Sequence, residues 1–314
     1  MRVVALAGGV GAGKFLRGLV RVVAPEDVTV IVNTGDDVHL HGLHVSPDLD
    51  SVLYWLAGVA DRDRGWGREG ETFRARDELG RIGGEAWFAL GDLDLATHLF
   101  RSHLLSQGRT LTEATRALCR AFGVRARVLP MSDDPVATRV QAVDPTGTAL
   151  DLHFQEYWVA RGARDEVKGV GYAGAASARP GSGALDAIAE ADAVLVCPSN
   201  PVASIAPILA IPGIPEAVRK RRDRVAGVSP VVAGAPLRGM ADRLMPAVGL
   251  EVSAFGAAAA YRGLLSGFVI DERDAALRPR LEAELGIRVG VTDTVMTDDG
   301  TAEQVARVAL SLVT

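Results

Sequence analysis

The opening of the chain constrains its fold more than any other segment. An apolar run, Val3-Val4-Ala5-Leu6, meets the turn Ala7-Gly8-Gly9-Val10-Gly11-Ala12-Gly13-Lys14, and a helical pattern follows from about Phe15 to Val23. Strand, glycine turn and helix in that order are the first unit of a parallel α/β sheet. Glycines let the backbone bend sharply and present N–H groups to an anion, next to a helix N-terminus whose dipole favours negative charge. Gly8, Gly9, Val10 and Gly11 are therefore candidate phosphate ligands, and close helix–strand packing is the alternative use of the same glycines. The spacing from Gly8 to Lys14 has the outline of a P-loop, but Phe15 stands where a magnesium-binding Ser or Thr would be. A dinucleotide fingerprint fails as well, because Lys14 follows Gly9-Val10-Gly11 where glycine is required.

The second β-branched run, Val28 to Val32, leads into Asn33-Thr34-Gly35-Asp36-Asp37, then His39, His41 and His44, then Ser46-Pro47-Asp48-Leu49-Asp50. Open α/β sheets place ligands at strand carboxyl ends. Carboxylates gathered there repel one another unless a cation, a donor-rich ligand or solvent screens them. A solvated acidic loop is the alternative, weakened by the glycine turn only some twenty residues upstream.

With 314 residues and 48% hydrophobic content, one large α/β unit with a sizeable core is affordable. A net charge of −5 and a pI near 5.7 argue against nucleic acid as a partner. Two cysteines, Cys119 and Cys197, fall on apolar faces and read as core thiols, consistent with a reducing cytoplasm. Lys14, Arg17 and Arg21 interrupt the N-terminal apolar run, so it does not read as a signal peptide; no window reaches the length of a membrane span, and a soluble chain is expected.

Strand patterns occur at 2–7, 27–33, 124–129, 138–143, 148–154, 166–173, 192–197, 224–228, 267–270 and 286–289. Helical patterns occur at 13–23, 48–58, 93–106, 110–122, 183–190, 213–222, 255–265 and 301–312. The alternation predicts a Rossmann-like, mostly parallel sheet with helices on both faces, forming a single domain over 1–314. A helical insertion is expected at about 60–122, and the short strands from 124 to 173 predict a small antiparallel extension. Asp92 is a candidate N-cap, and Asp94, His98 and Arg101 share one face of the helix that follows. That face could bind a phosphorylated or polyhydroxylated substrate, or be a solvated face with local ion pairs. Pro198-Ser199-Asn200-Pro201 and Ser229-Pro230 close two later strands with ligand-wall or simple turn chemistry, and Met131-Ser132-Asp133-Asp134-Pro135 closes another.

Taken in order, these segments resemble the 2-phospho-L-lactate transferase family of coenzyme F420 biosynthesis. The resemblance rests on Gly8–Gly11, Asn33–Asp37, Ser46–Tyr54, Trp66-Gly67, Gly91–His98, Met131–Val136, His153–Glu156, Pro198–Pro201 and Ser229-Pro230. It implies transfer of a phosphorylated three-carbon acid, from its guanosine diphosphate adduct, to the ribitol hydroxyl of the deazaflavin Fo, with release of GMP. It also implies Mg2+ as cofactor and a homodimer. Carried onto this chain, Asp50 matches the position that contacts Fo and is placed beside the attacking hydroxyl as metal ligand or proton acceptor, with Asp36 completing the catalytic metal site. From their helical spacing, His98 and Arg101 are expected to steady the Fo tail or the phosphates, and Trp66 is placed against Fo. Gly8, Gly9, Val10, Gly11, Ser199, Asn200, Pro201 and Ser229 line the nucleotide. Ala89 stands where archaeal members often carry a basic residue, and Leu237–Asp242 looks actinobacterial while Arg243–Pro246 looks archaeal. The donor acid therefore stays open among lactate, enolpyruvate and glycerate. The rival readings are a non-catalytic nucleotide-sugar-binding regulator related to the gluconeogenesis factors and a P-loop kinase, the latter disfavoured by Phe15.

Overall fold

Short runs rich in valine and alanine become strands here because helices cover both faces of the sheet they build. A computed structural model of the chain describes residues 1–313. Its central sheet has seven parallel strands: β1 (Val3–Ala7), β2 (Val28–Val32), β3 (Arg127–Pro130), β4 (Ala193–Val196), β5 (Val225–Val228), β6 (Gly267–Asp271) and β7 (Arg288–Thr292). The spatial order is β3-β2-β1-β4-β5-β6-β7. This is the doubly wound Rossmann order with one added strand, and it reverses direction between β1 and β4.

The strand period explains the two halves of the core. Val4 and Leu6 of β1 join Ile31, Val194 and Val196 on one face, while Val3, Ala5 and Ala7 join Val30, Val32 and Leu195 on the other. Helices α1 (Gly9–Val22), α2 (Pro47–Ala57), α3 (Asp92–Ser106), α4 (Leu111–Ala121) and α5 (Asp299–Ser311) matter most for the site. α1 packs against both α2 and α5. At the α1–α5 crossing, a Cβ on Gly18 would lie 2.2 Å from the Ala302 carbonyl. Gly18→Ala is therefore expected to cost about 1–3 kcal/mol or more by forcing the two helices apart. Chemical denaturation measures this, and an unchanged unfolding midpoint would contradict the packing. Both cysteines are buried in the core, and burial pushes the Cys119 thiol up to about 11.

Several elements differ from the sequence expectation. The strand expected at 124–129 is not part of the antiparallel extension; as Arg127–Pro130 it pairs in parallel with β2 at the sheet edge. Val128 and Leu129 are buried there against opposite halves of the core, which an exposed ribbon could not provide. The antiparallel sheet consists of Ala137–Val143, Ala149–His153 and Glu166–Ala173. Between α2 and β3 the chain forms helices Arg74–Arg81, α3 and α4. Two hairpins, Val38–Leu40 with Leu43–Val45 and Val231–Val232 with Ala235–Pro236, are too short to leave a periodic signal. Each turns on a pair with positive φ, His41-Gly42 and Ala233-Gly234, as tight two-residue hairpin loops require. Gly91, not Asp92, is the N-cap of α3; the Asp92 carboxylate accepts instead from the Thr72 amide at 2.8 Å and its hydroxyl at 3.0 Å. Among the described residues no single helix is long and apolar enough to cross a membrane.

Candidate active site

The reversal between β1 and β4 leaves a crevice at their carboxyl ends, where the two chain halves diverge. β1 feeds α1 with almost no loop, so the glycine segment is the first turn of the helix and its N–H groups are the helix N-terminus. The Gly8 amide donates to Ser199 Oγ at 3.2 Å, and that hydroxyl donates to the Gly8 carbonyl at 2.8 Å, stitching β1 to the loop after β4. A Cβ on Gly8 would lie 2.2 Å from Asp48 Oδ2, and one on Gly11 would lie 2.2 Å from the Pro198 carbonyl oxygen. These two glycines thus serve close packing, and the group that meets the positive end of α1 is the Asp48 carboxylate.

Asp48 comes from the first turn of α2 and is held by Asn33 at the end of β2. Asn33, fully buried, donates from Nδ2 to Asp48 Oδ2 at 2.9 Å, Asp36 Oδ1 at 3.2 Å and the Ala203 carbonyl at 3.2 Å. Gln155, brought in by the antiparallel extension, donates to Asp36 Oδ2 at 3.0 Å. Burial raises Asp36 well above the usual carboxylate range, with the Asp48 and Asp37 charges adding to it. Burial likewise pushes Asp48 up to about 7, against the hydrogen bonds from Asn33 and Ser204. Beside them, Asp37 Oδ2 faces His44 Nε2 and Ser46 Oγ, each at 2.8 Å, while its Oδ1 is buried without a partner.

Two residues along α2, Asp50 points into the insertion and belongs to a second group. The Arg101 guanidinium grips both of its oxygens, with Nη1 at 3.0 Å from Oδ2 and Nη2 on Oδ1. His98 lies between two acids, its Nδ1 3.6 Å from Asp50 Oδ2 and its Nε2 3.2 Å from Asp94 Oδ1. The Tyr54 hydroxyl donates to Asp94 at 2.7 Å. Asp50 and Arg101 are only 4% and 1% exposed, so the shared face of Asp94, His98 and Arg101 is interior and not solvated. Burial works against the Arg101 charge, yet the Asp50 carboxylate raises its pKa above the ordinary value. For Asp94, burial pushes upward, but the His98 ring and the Tyr54 hydroxyl hold it below the usual range. Asp50, Asp94 and His98 are close enough to share a cation, but Arg101 already fills Asp50.

The remaining candidates form walls. Asn200 Oδ1 accepts from the Val202 and Ala203 amides at 2.9 and 3.1 Å and caps the turn that Pro201 begins. Ser229 spends its hydroxyl on Val231, donating to the carbonyl at 2.7 Å and accepting from the amide at 3.2 Å. Trp66 is 40% exposed, with the Arg64 guanidinium 5.1 Å from its ring centre. The sequence reading pairs Asp36 with Asp50; in the structure the acids that act on Asp36 are Asp48 and Asp37, whereas Asp50 is engaged by Arg101 and His98. Asn33, Asp48 and Gln155 lay inside the recognised motifs with no role assigned, and only the amide-to-carboxylate pairing across the fold gives them one.

A doubly wound parallel sheet with a buried polar crevice at its reversal point defines a Rossmann-like protein built to hold a ligand over strand carboxyl ends. The structural likeness agrees: a UPF0052 family member from Bacillus halodurans superposes with a TM-score of 0.65 at 17% identity, over 98% of both chains, which speaks to the fold alone. The family model described as 2-phospho-L-lactate transferase CofD matches residues 3–305. The chain is 48% identical to a phosphoenolpyruvate transferase of Kitasatospora aureofaciens, covering 99% of this chain and 98% of that one. It is 41% identical to a 2-phospho-L-lactate transferase of Methanosarcina acetivorans, covering 98% and 97%. The chain belongs to the 2-phospho-L-lactate transferase family, and it is a transferase of coenzyme F420 biosynthesis. The regulator and kinase readings are set aside by that membership.

Proposed function

We propose that the protein transfers a phosphorylated three-carbon acid, 2-phospholactate or the enolpyruvate equivalent, from its guanosine diphosphate adduct to the ribitol hydroxyl of Fo, with Mg2+ as cofactor. The observation that carries this is the Asp36–Asp48 pair against the N-terminus of α1. Both carboxylates are buried, and their hydrogen bonds come from amides and a hydroxyl, not from a cationic side chain. Such a pair fits a hard, oxygen-seeking dication, as does the unpartnered Asp37 Oδ1 beside it. Magnesium would be held by Asp36 with Asp48 alongside, and Asp50 could join only if Arg101 let go of it. The bound ion would supply charge neutralisation to the diphosphate.

Phosphoryl transfer of this kind asks for alignment more than for a strong base. Asp50, oriented by Arg101, accepts a hydrogen bond from the attacking hydroxyl, and His98 stands between Asp50 and Asp94 and fixes their separation. The exposed Trp66 ring offers a flat face to the deazaflavin. With the Gly8 amide engaged by Ser199, the first-turn N–H groups of Gly9, Val10 and Gly11 face the diphosphate, and Ser199, Asn200, Pro201 and Ser229 shape the wall on the guanine side. The enzyme would work in the cytoplasm as a homodimer, without nucleic acid or membrane partners.

The direct test is incubation with Fo, the guanylyl donors and magnesium, with mass detection of a phosphodiester-linked deazaflavin. Absence of product from every donor would overturn the reading. Chelation by EDTA is expected to suppress the rate by at least about a hundredfold, since the metal carries much of the charge stabilisation. An undiminished rate would remove the metal from the scheme.

A further inference from the structure

Two cations from distant parts of the chain converge beside the crevice, and neither has an assigned use. Lys14, half-buried, sits one helical turn after Val10 where α1 meets α2, its ammonium 5.8 Å from the centre of the Trp55 ring. Arg238 follows the hairpin Val231–Pro236, which is anchored by the Ser229 hydroxyl and by Asp274, whose carboxylate accepts from the Ala233 amide at 3.0 Å. The Arg238 guanidinium rests directly on Gly65: a Cβ there would lie 1.6 Å from Arg238 Nη1 and 3.3 Å from Val10 Cγ1. Trp55 Nε1 donates to the Gly65 carbonyl at 3.4 Å, so α1, the Gly65 turn and the 238 segment meet at one point. Burial, and then the nearby Arg238 charge, lower the Lys14 pKa.

Like charges brought together this way need an anion. Asp299, which lines the same pocket as Lys14, is spent on Arg17 at 2.6 Å and Arg62 at 3.6 Å. No carboxylate lies within ion-pair distance of Lys14 or Arg238 among the described residues. We infer that Lys14 and Arg238 form an anion subsite that reads the carboxylate of the donor's three-carbon acid. This rests on the transferase reading above. The phosphates would already have a helix N-terminus and the Asp36–Asp48 cation site, whereas Lys14 lies about 5 Å, one helical turn, beyond Val10 along α1, and Arg238 reaches the same corner from the segment after the hairpin. The acid's carboxylate sits on the carbon next to the ester oxygen, so it projects just beyond the transferred phosphorus. A guanidinium fork with an ammonium beside it matches a carboxylate in shape and charge.

The experiment compares each guanylyl donor with its isosteric amide, in which the carboxylate is replaced by a neutral group. The wild type is expected to favour the acid donor in kcat/KM by about a hundredfold or more, because the amide leaves the cations unpaired. Arg238→Met and Lys14→Met should each remove most of that preference by slowing the acid donor, leaving the amide donor within about twofold. GDP affinity, read from tryptophan fluorescence, should stay within about twofold, and Arg238→Lys should restore part of the preference. Equal losses for acid donor, amide donor and GDP would assign the pair to the diphosphate and overturn the inference, as would an undiminished preference. A wild type that turns over no donor at all would instead defeat the transferase reading.

Discussion

Asp50→Ala is expected to abolish transfer, by at least about a thousandfold, and to destabilise the protein by about 3–5 kcal/mol, the usual cost of leaving a buried charge without its partner. The stranded charge is Arg101, only 1% exposed, whose Nη1 and Nη2 both bind Asp50 and whose remaining contacts are the His44 carbonyl at 3.4 Å and His98 Nδ1 at 3.3 Å. The loss of rate and the loss of stability have separable causes. In Asp50→Leu/Arg101→Met the buried charge disappears together with its partner, so the unfolding midpoint should return towards the wild-type value while turnover stays absent. Urea unfolding and the initial rate, measured on both variants, decide the matter. A single variant with wild-type turnover would remove Asp50 from catalysis, and one with wild-type stability would show that Arg101 finds another anion.

Asp48→Asn is expected to act in the opposite sense on stability. Burial raises the Asp48 pKa from the ordinary value of 3.8 to about 7, so between those pH values the folded state holds a proton that the unfolded chain releases. The unfolded state then binds fewer protons, and stability falls as pH rises through that window. In the metal-free wild type the loss should be complete above about pH 7. Asparagine carries no charge, so the variant should be more stable than the wild type at pH 8 and should lose this part of the pH dependence. A cation must displace the same proton, so wild-type affinity for Mn2+ or Mg2+ should rise by up to about tenfold per pH unit below pH 7, and the variant should bind far more weakly. Thermal midpoints and calorimetric titration across that range provide the measurement. Parallel stability profiles for the two proteins would show that Asp48 is already ionised in the fold.

The outline of the crevice and one of its clusters are legible in the sequence. Strand, glycine turn and helix in succession mark the first unit of a parallel sheet, and Asx-rich turns after apolar runs mark its ligand edge. The spacing of Asp94, His98 and Arg101 puts them on one helical face, and the structure brings all three together with Asp50. The direction in which that face looks was not legible, because a polar helical stripe reads the same whether it meets solvent or a buried carboxylate. The division of labour between Asp48 and Asp50 was equally hidden. They are two residues apart on a helix and so point about 200° apart, one towards α1 and the other towards the insertion.

Local order, by itself, determined the parallel α/β architecture, the polar crevice and the family, since each depends on short-range spacing that the chain carries wherever it folds. Tertiary structure alone decided which carboxylate has a cation and which lacks one. Arg101 is 51 residues from Asp50 and Gln155 is 119 residues from Asp36. Charge compensation depends on distances across the fold, and a sequence records only separation along the chain.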